Sequence, residues 1–251
     1  MSVTTTINDG IAEVVMEYPP VNALPVQGWF DVATAVRQAG ELPETRVVIL
    51  TAEGKGFNAG ADIKEMQRTP GFDALLGANR GCYAAFKAVY ECHVPVIAAV
   101  HGYCLGGGIG LVGNADIIIA SEEAVFGLPE VKQGALGAAT HLSRLVPQHR
   151  MRAMVYTAEN ATARELQGYG SVLEVTSRGE LRDAARRLAG RIAKHSGTVI
   201  RAAKHCLNGI DPMDVNKSYR FEQGYTFELN LSGVADEARD AFVEKRDRRD
   251  P

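Results

Sequence analysis

Two glycine-rich stretches decide how this chain folds: Gly56-Phe57-Asn58-Ala59-Gly60-Ala61-Asp62-Ile63 and His101-Gly102-Tyr103-Cys104-Leu105-Gly106-Gly107-Gly108-Ile109-Gly110. Each follows an apolar run of strand character, Val47-Val48-Ile49-Leu50 before the first and Val96-Ile97-Ala98-Ala99-Val100 before the second, and each leads into a helix-like stretch. A turn of small residues feeding a helix N-terminus leaves backbone N–H groups that no intrahelical carbonyl accepts. One such turn binds an anion; two that converge grip an oxyanion from both sides. The pair points to chemistry on a carbonyl whose developing charge is held by main chain.

Outward from these turns, strand and helix patterns alternate. Val3 to Thr6 and Ile11 to Met16 read as a hairpin around Asn8-Asp9-Gly10. Trp29, Val32 and Val36 mark the apolar face of a helix from Val26 to Ala39, and Ala85, Phe86, Val89 and Tyr90 that of a helix from Cys82 to Cys92, stopped by Pro95. Asp116 to Ala120 and Val125-Phe126 read as strands. Recurring strand–turn–helix units suggest an α/β fold of stacked ββα layers, although a doubly wound sheet gives a similar pattern. Beyond Pro147 helices dominate: Arg150 to Ala158, Thr162 to Tyr169, Glu180 to His195 and Thr198 to Leu207, with Ser171 to Val175 the one strand candidate. The last segment, Pro212 to Arg246, is helical and broken at Ser232-Gly233. Its Tyr219, Phe221, Tyr225, Phe227, Leu229 and Leu231 are too apolar for a free surface helix, so it packs back on the core or forms a subunit interface, the second being preferred. The division expected is a core at 1–196 and a helical region at 197–251.

With 251 residues, 46% of them hydrophobic, the chain can bury a full core. The net charge of −3 with interspersed signs argues against nucleic acid. Neither a signal peptide nor an apolar run long enough for a membrane span is visible, and Arg246 to Asp250 reads as a solvated tail. Cys82, Cys92, Cys104 and Cys206 show no CxxC pairing, which favours buried free thiols in a cytoplasmic protein. The histidines lack metal-ligand spacing; His93 and His101 have no obvious partners, and no metal is expected.

Asn22-Ala23-Leu24, the block Phe57 to Met66, the block Pro95 to Gly102 with Leu105-Gly106-Gly107-Gly108, Phe126-Gly127-Leu128-Pro129-Glu130 and Ala241 to Arg246 together resemble the crotonase (enoyl-CoA hydratase/isomerase) superfamily, in order and over almost the whole chain. The resemblance implies a crotonase-type spiral of ββα units with a helical C-terminal region that builds a homotrimer or hexamer. It also implies an acyl-CoA thioester substrate, with no cofactor because coenzyme A is part of the substrate. By position, the oxyanion donors become the N–H groups of Ala61 and Gly107. The coenzyme A and substrate groove is assigned to Asn22, Ala23, Leu24, Ala59, Ala61, Asp62 and Ile63, with Tyr103, Gly106, Gly107 and Leu136 about the acyl group. Glycine at 106–108 is expected because a Cβ would obstruct the thioester. Tyr103 and Cys104, beside the turn, otherwise read as packing residues.

Hydratases of the family use two glutamates to place and activate water. The first position, just after the triple glycine, is Gly110 here; the second is present as Glu130. One carboxylate shuttles one proton but lacks the partner that holds a water, which counts against ordinary hydration. The alternative for Glu130 is a surface or helix-start carboxylate after Pro129. The following stretch also departs from the hydratase pattern: a proline is replaced by Gly137, and paired glycines by Thr140 and His141. His141 is a general base or hydrogen-bond donor, or else a structural hydrogen-bonder. Arg80-Gly81-Cys82 with Tyr90-Glu91-Cys92, the run at 106–113, Gly137 to Pro147 and Glu222 to Asn230 resemble a branch of the family that opens a ring of a bicyclic keto acyl-CoA, a steroid remnant, by retro-Claisen hydrolysis. In that reading Glu130 or His141 activates water, and small residues about Leu136, Gly137 and Ala138 admit a fused ring. The alternatives are an isomerase or hydratase using Glu130 alone, and an acyl-CoA-binding protein without catalysis.

Overall fold

The computed structural model describes the backbone of residues 1–244, and their side chains except at 237, 242 and 243. The end of the Ala241-to-Arg246 block and the Arg246-to-Asp250 tail lie outside the described residues. The chain opens with the expected hairpin, β1 (Ser2–Asn8) antiparallel to β2 (Ile11–Glu17). Its turn residues Asp9 and Gly10 both take positive φ, the mirror-image turn that matches strand twist. Helix α1 (Val26–Glu41) follows and then β3 (Val47–Ala52), parallel to β2. The first glycine turn leads into α2 (Ile63–Arg68), and a short loop precedes α3 (Asp73–Tyr90).

Helix α3 begins nine residues' worth of sequence earlier than the Cys82 start expected from periodicity, because Gly77 and Gly81 lower its apparent propensity while serving packing. A Cβ on Gly77 would stand 2.8 Å from Val26 Cγ1, and one on Gly81 2.8 Å from Trp29 Cβ. Those glycines let α3 lie directly on α1.

The second half of the core repeats the unit. Strand β4 (Val96–Val100), β5 (Tyr103–Leu105) and α4 (Gly107–Val112) form one layer; β6 (Ile117–Ser121) and β7 (Val125–Gly127) begin the next. A short 3₁₀ turn, Glu130–Gln133, leads to α5 (Ala139–Leu142) and α6 (Gln148–Thr157). After β8 (Ala161–Thr162) and α7 (Ala163–Gly168), the expected strand is β9 (Glu174–Thr176), later than the Ser171 start because its pairing with β6 begins at Glu174. Helices α8 (Leu181–Ala193), α9 (Gly197–Gly209), α10 (Val215–Leu231) and α11 (Val234–Glu244) complete the described residues, broken between the last two where Ser232-Gly233 was expected to break the segment.

The main sheet runs in the order β1-β2-β3-β4-β6-β9, and a smaller sheet runs β5-β7-β8. The chain steps from large sheet to small and back through a helix, which is the stacked ββα spiral and not a doubly wound sheet. Strand β3 is buried on both faces. Val48 and Leu50 face the main core with Trp29 and Phe86, while Val47 and Ile49 face Leu181, Ala185 and Ala189 of α8. Such two-sided burial explains the unbroken apolar run. Asp116 does more than begin its strand: its carboxylate accepts from the Val96 amide at 2.8 Å and pairs with buried Lys204 at 2.8 Å, tying β4 to α9.

Candidate active site

The two glycine turns meet. Gly60 takes φ +88°, and a Cβ there would lie 3.5 Å from the Gly107 amide nitrogen and 3.7 Å from Gly106 Cα. Ala61 forms a lone parallel bridge with Leu24. In it Leu24 N–H donates to Gly60 O and Asp62 N–H to Leu24 O, each at 2.9 Å. Strand alternation therefore turns the intervening Ala61 N–H away from Leu24. Gly107 opens α4, where a first-turn N–H has no intrahelical acceptor. Both residues line one cavity of about 690 Å³.

The triple glycine makes room for its protein neighbours. A Cβ on Gly107 would come 2.5 Å from Trp29 Cη2, one on Gly108 3.1 Å from Asn58, and one on Gly106 2.8 Å from Glu130 Oε1. Trp29, buried in the core, thus seats the second glycine turn from beneath.

Glu130 is no surface carboxylate. The residue is half-buried, but its carboxyl is aimed into the cavity against Gly106 and Gly137, and its Oε2 is buried without a hydrogen-bond partner. Burial pushes its pKa up to about 8, and the neighbouring Glu222 charge adds to that. A carboxyl poised near neutrality beside an oxyanion turn fits a proton carrier. Position 110 holds no second acid, and the structure shows why one does not fit: a Cβ on Gly110 would lie 2.1 Å from Phe86 Cζ.

Of the residues expected about the substrate, Ala23, Ala59, Ala61, Asp62, Ile63, Gly106, Gly107 and Leu136 line the cavity. Asn22, Leu24 and Tyr103 do not line it. Buried Asn22 is a staple: its Nδ2 donates to Glu53 O at 2.7 Å and Gly56 O at 2.8 Å, and its Oδ1 accepts from Tyr18 N at 2.7 Å. Leu24 is fully buried at the bridge, and Tyr103 packs its ring where a Cβ on Gly56 would stand. Asp62 has a second task, its carboxylate capping α2 at Lys64 N and Glu65 N.

His141 lies behind the cavity wall. Its ring packs at 4.9 Å from that of Phe86 and 4.8 Å from that of Tyr219, and these two residues line the cavity while His141 does not. Neither ring nitrogen has a hydrogen-bond partner, which also removes the structural hydrogen-bonder reading. Burial pushes its pKa down to about 3, with the Arg144 charge adding to the shift. The depressed pKa favours the neutral imidazole, which touches the cavity wall only through the two aromatic rings. His101, expected to lack a partner, contacts Gly54 O through Nε2 at 3.2 Å.

Sequence reasoning missed the contribution of the last helices. From α10, Tyr219, Gln223, Thr226 and Asn230 line the cavity, as does Arg239 of α11. Their signal was the polar residues interleaved with the aromatic ones, in a segment for which packing back on the core was the less favoured of two readings. Three cysteines are buried and free as expected, but Cys206 is exposed. Among the described residues no group of three or more His, Cys, Asp or Glu is placed to hold a metal, and no helix is long and apolar enough to cross a membrane.

Comparison with known proteins agrees with this geometry. The sequence profile of the enoyl-CoA hydratase/isomerase family matches residues 6–249. A relative from Rhodococcus jostii (strain RHA1), a (7aS)-7a-methyl-1,5-dioxo-2,3,5,6,7,7a-hexahydro-1H-indene-carboxyl-CoA hydrolase, is 66% identical over 96% of this chain and 93% of its own length. The hydrolase of the same name from Mycobacterium tuberculosis is 66% identical over 96% of this chain and 98% of its own. An enoyl-CoA hydratase/isomerase from Pseudoalteromonas atlantica T6c superposes with a TM-score of 0.88 at 24% identity, covering 100% of both chains. One from Xanthobacter autotrophicus Py2 gives 0.87 at 26% identity, over 97% of this chain and 92% of its own. With the converged glycine turns, the buried glutamate and a match along nearly its whole length, the chain belongs to the enoyl-CoA hydratase/isomerase, or crotonase, family.

Proposed function

We propose that this protein is an acyl-CoA hydrolase that opens a ring of a bicyclic keto acyl-CoA by retro-Claisen cleavage. The observation that carries the reading is the buried carboxyl of Glu130, with an unpartnered oxygen, in the cavity where the two glycine turns meet, walled by Leu136, Gly137 and Ala138. The substrate class comes from the two relatives, whose names specify a bicyclic dioxo-indene acyl-CoA. Glu130 takes a proton from water as the water oxygen bonds to the ring ketone carbon. The bond from that carbon to its neighbour then breaks. Its electron pair passes through the conjugated system to the thioester oxygen, held by the Ala61 and Gly107 N–H groups. The ketone carbon leaves as a carboxylic acid, and Glu130 returns the proton to the carbanion carbon. One water is consumed, and no cofactor enters the balance.

Each aimed donor in such a site contributes about 10²–10³ in rate. His141 supports the wall through Phe86 and Tyr219. The exposed apolar face of the C-terminal helices supports self-assembly to a homotrimer or hexamer, and the free thiols suit a reducing cytoplasm.

The test is incubation with the bicyclic CoA thioester and with crotonyl-CoA, read by mass spectrometry. Ring opening with gain of one water is expected, and Glu130→Gln should lower turnover by about 10²–10⁴ while still binding CoA. Turnover of crotonyl-CoA with no change in the bicycle would overturn the proposal in favour of a single-glutamate isomerase or hydratase. Binding of both without reaction would mark an acyl-CoA-binding protein.

A further inference from the structure

Glu130 stands on a partition. On one side is the cavity described above; on the other is an apolar groove of about 750 Å³, and Glu130, Leu136 and Gly137 line both. The partition is thin, since a Cβ on Gly137 would lie 3.5 Å from Glu130 Oε1. It is also conformationally unusual: Ala138, a non-glycine residue, takes φ +59° just before α5. Such backbone persists only where its surroundings hold it. The holding groups come from α10. Glu222 Oε1 accepts from Ala139 N at 2.7 Å, Glu222 Oε2 accepts from Thr140 N at 2.9 Å, and Thr226 donates its hydroxyl to Leu136 O at 2.6 Å.

We propose that Glu222 is a positioning residue for this site: reaching from α10, its carboxylate clamps the Leu136–Thr140 partition by two backbone bonds and so places the surface against which the Glu130 carboxyl works. The role deepens the hydrolase reading and, for its effect on turnover, rests on it. With both oxygens accepting, Glu222 is held in its ionised, acceptor-only form even though burial raises its pKa. Its negative charge faces Glu130 and makes that carboxyl more basic. Among the described residues, the other titratable or charged side chains that line the cavity are Tyr18, Asp62, Lys64, Glu65, Arg68, Cys82, Tyr219 and Arg239, and besides Glu222 those that line the groove are Arg152, Tyr156, Lys217 and Tyr225. Of the acids that line the groove, Glu222 alone also holds the partition.

The experiment pairs Glu222→Gln with Glu222→Asp. The amide removes the charge and can accept only one of the two N–H bonds; the shorter acid keeps the charge but withdraws from the partition. Hydrolysis of the bicyclic thioester is followed against pH, and the Glu130 carboxyl is titrated by carbon-13 NMR on glutamate-labelled protein, its signal assigned by loss in Glu130→Gln. In Glu222→Gln, kcat/KM should fall about tenfold to a hundredfold, and the acid limb and the Glu130 titration should both move down by about one pH unit. In Glu222→Asp, kcat should fall with the acid limb in place. An unchanged Glu130 titration and unchanged kcat/KM in Glu222→Gln overturn the role, as does a loss that only tracks the fraction of folded protein. If wild-type protein opens no ring, the NMR titration decides alone: a shift keeps Glu222 in its role while the hydrolase reading fails, and no shift removes both.

Discussion

At the scale of single residues, the cavity is organised around one unsatisfied group. A carboxyl without a partner for one oxygen, buried beside an oxyanion turn, is costly to ionise, and native chains keep such groups where chemistry needs them. The cost has a sign that can be measured. Glu130 has a folded pKa of about 8 against an ordinary 4.5, so between those values the native state holds more protons than the unfolded chain. Stability at this site is therefore fully present below the ordinary pKa and is lost as pH rises toward about 8, by on the order of 1 kcal/mol per pH unit. Glu130→Gln does not titrate and should gain on the parent protein as pH rises. Urea unfolding of both proteins at pH 5 and pH 8 checks this, and an equal difference at the two values would show that the carboxyl is not buried as described. Buried His141 has the opposite sign: its pKa is depressed, so its contribution weakens as pH falls below its ordinary value of 6.5.

At the scale of elements, the site depends on how closely α4 lies on α1 and α3. Trp29 meets Gly107 and Phe86 meets Gly110, and the two rings pack edge-on at 5.7 Å. One layer of aromatic packing thus supports the second glycine turn and fills the space a side chain at position 110 would need. Restoring an acid at 110 by itself would not make a hydratase. Even Gly110→Ala drives a methyl into Phe86, and overpacking of this kind costs about 1–3 kcal/mol. The expected result is a lower denaturation midpoint for Gly110→Ala, partly restored by adding Phe86→Leu. Unchanged stability of the single variant would refute the close approach of α3 and α4.

At the scale of the whole molecule, α10 has two faces with different work. Tyr219, Gln223 and Asn230 are buried on the chain's own cavity, whereas Phe221 is 70% exposed, Tyr225 46% and Leu231 72%. The choice posed by the sequence, packing back or forming an interface, was a false one for the inner face, which plainly packs back. The outer face bounds the groove behind Glu130, where the rings of Phe221 and Tyr225 meet edge-on at 5.4 Å. A contiguous apolar surface of this kind is suited to a second copy of the chain. Sedimentation should give a trimer or hexamer, and Phe221→Glu should lower the assembly state. A monomeric parent protein would exclude the assembly proposed.

Glu130 was singled out by the family resemblance, whereas the hairpin at Asp9-Gly10, most of the longer strands and helices and the two glycine turns were legible in the residues themselves. They follow from local rules: apolar period, positive-φ turn residues and small-residue turns before helices. The tertiary structure alone decided the rest, because it depends on contacts between residues far apart in the chain. It showed that the triple glycine makes room for Trp29, Asn58 and Glu130. It placed His141 behind Phe86 and Tyr219, and brought Glu222 to the partition from α10. The absence of an acid at 110 could be read from one letter. That Phe86 occupies its place could not, since no local pattern links a ring on α3 to a glycine on α4.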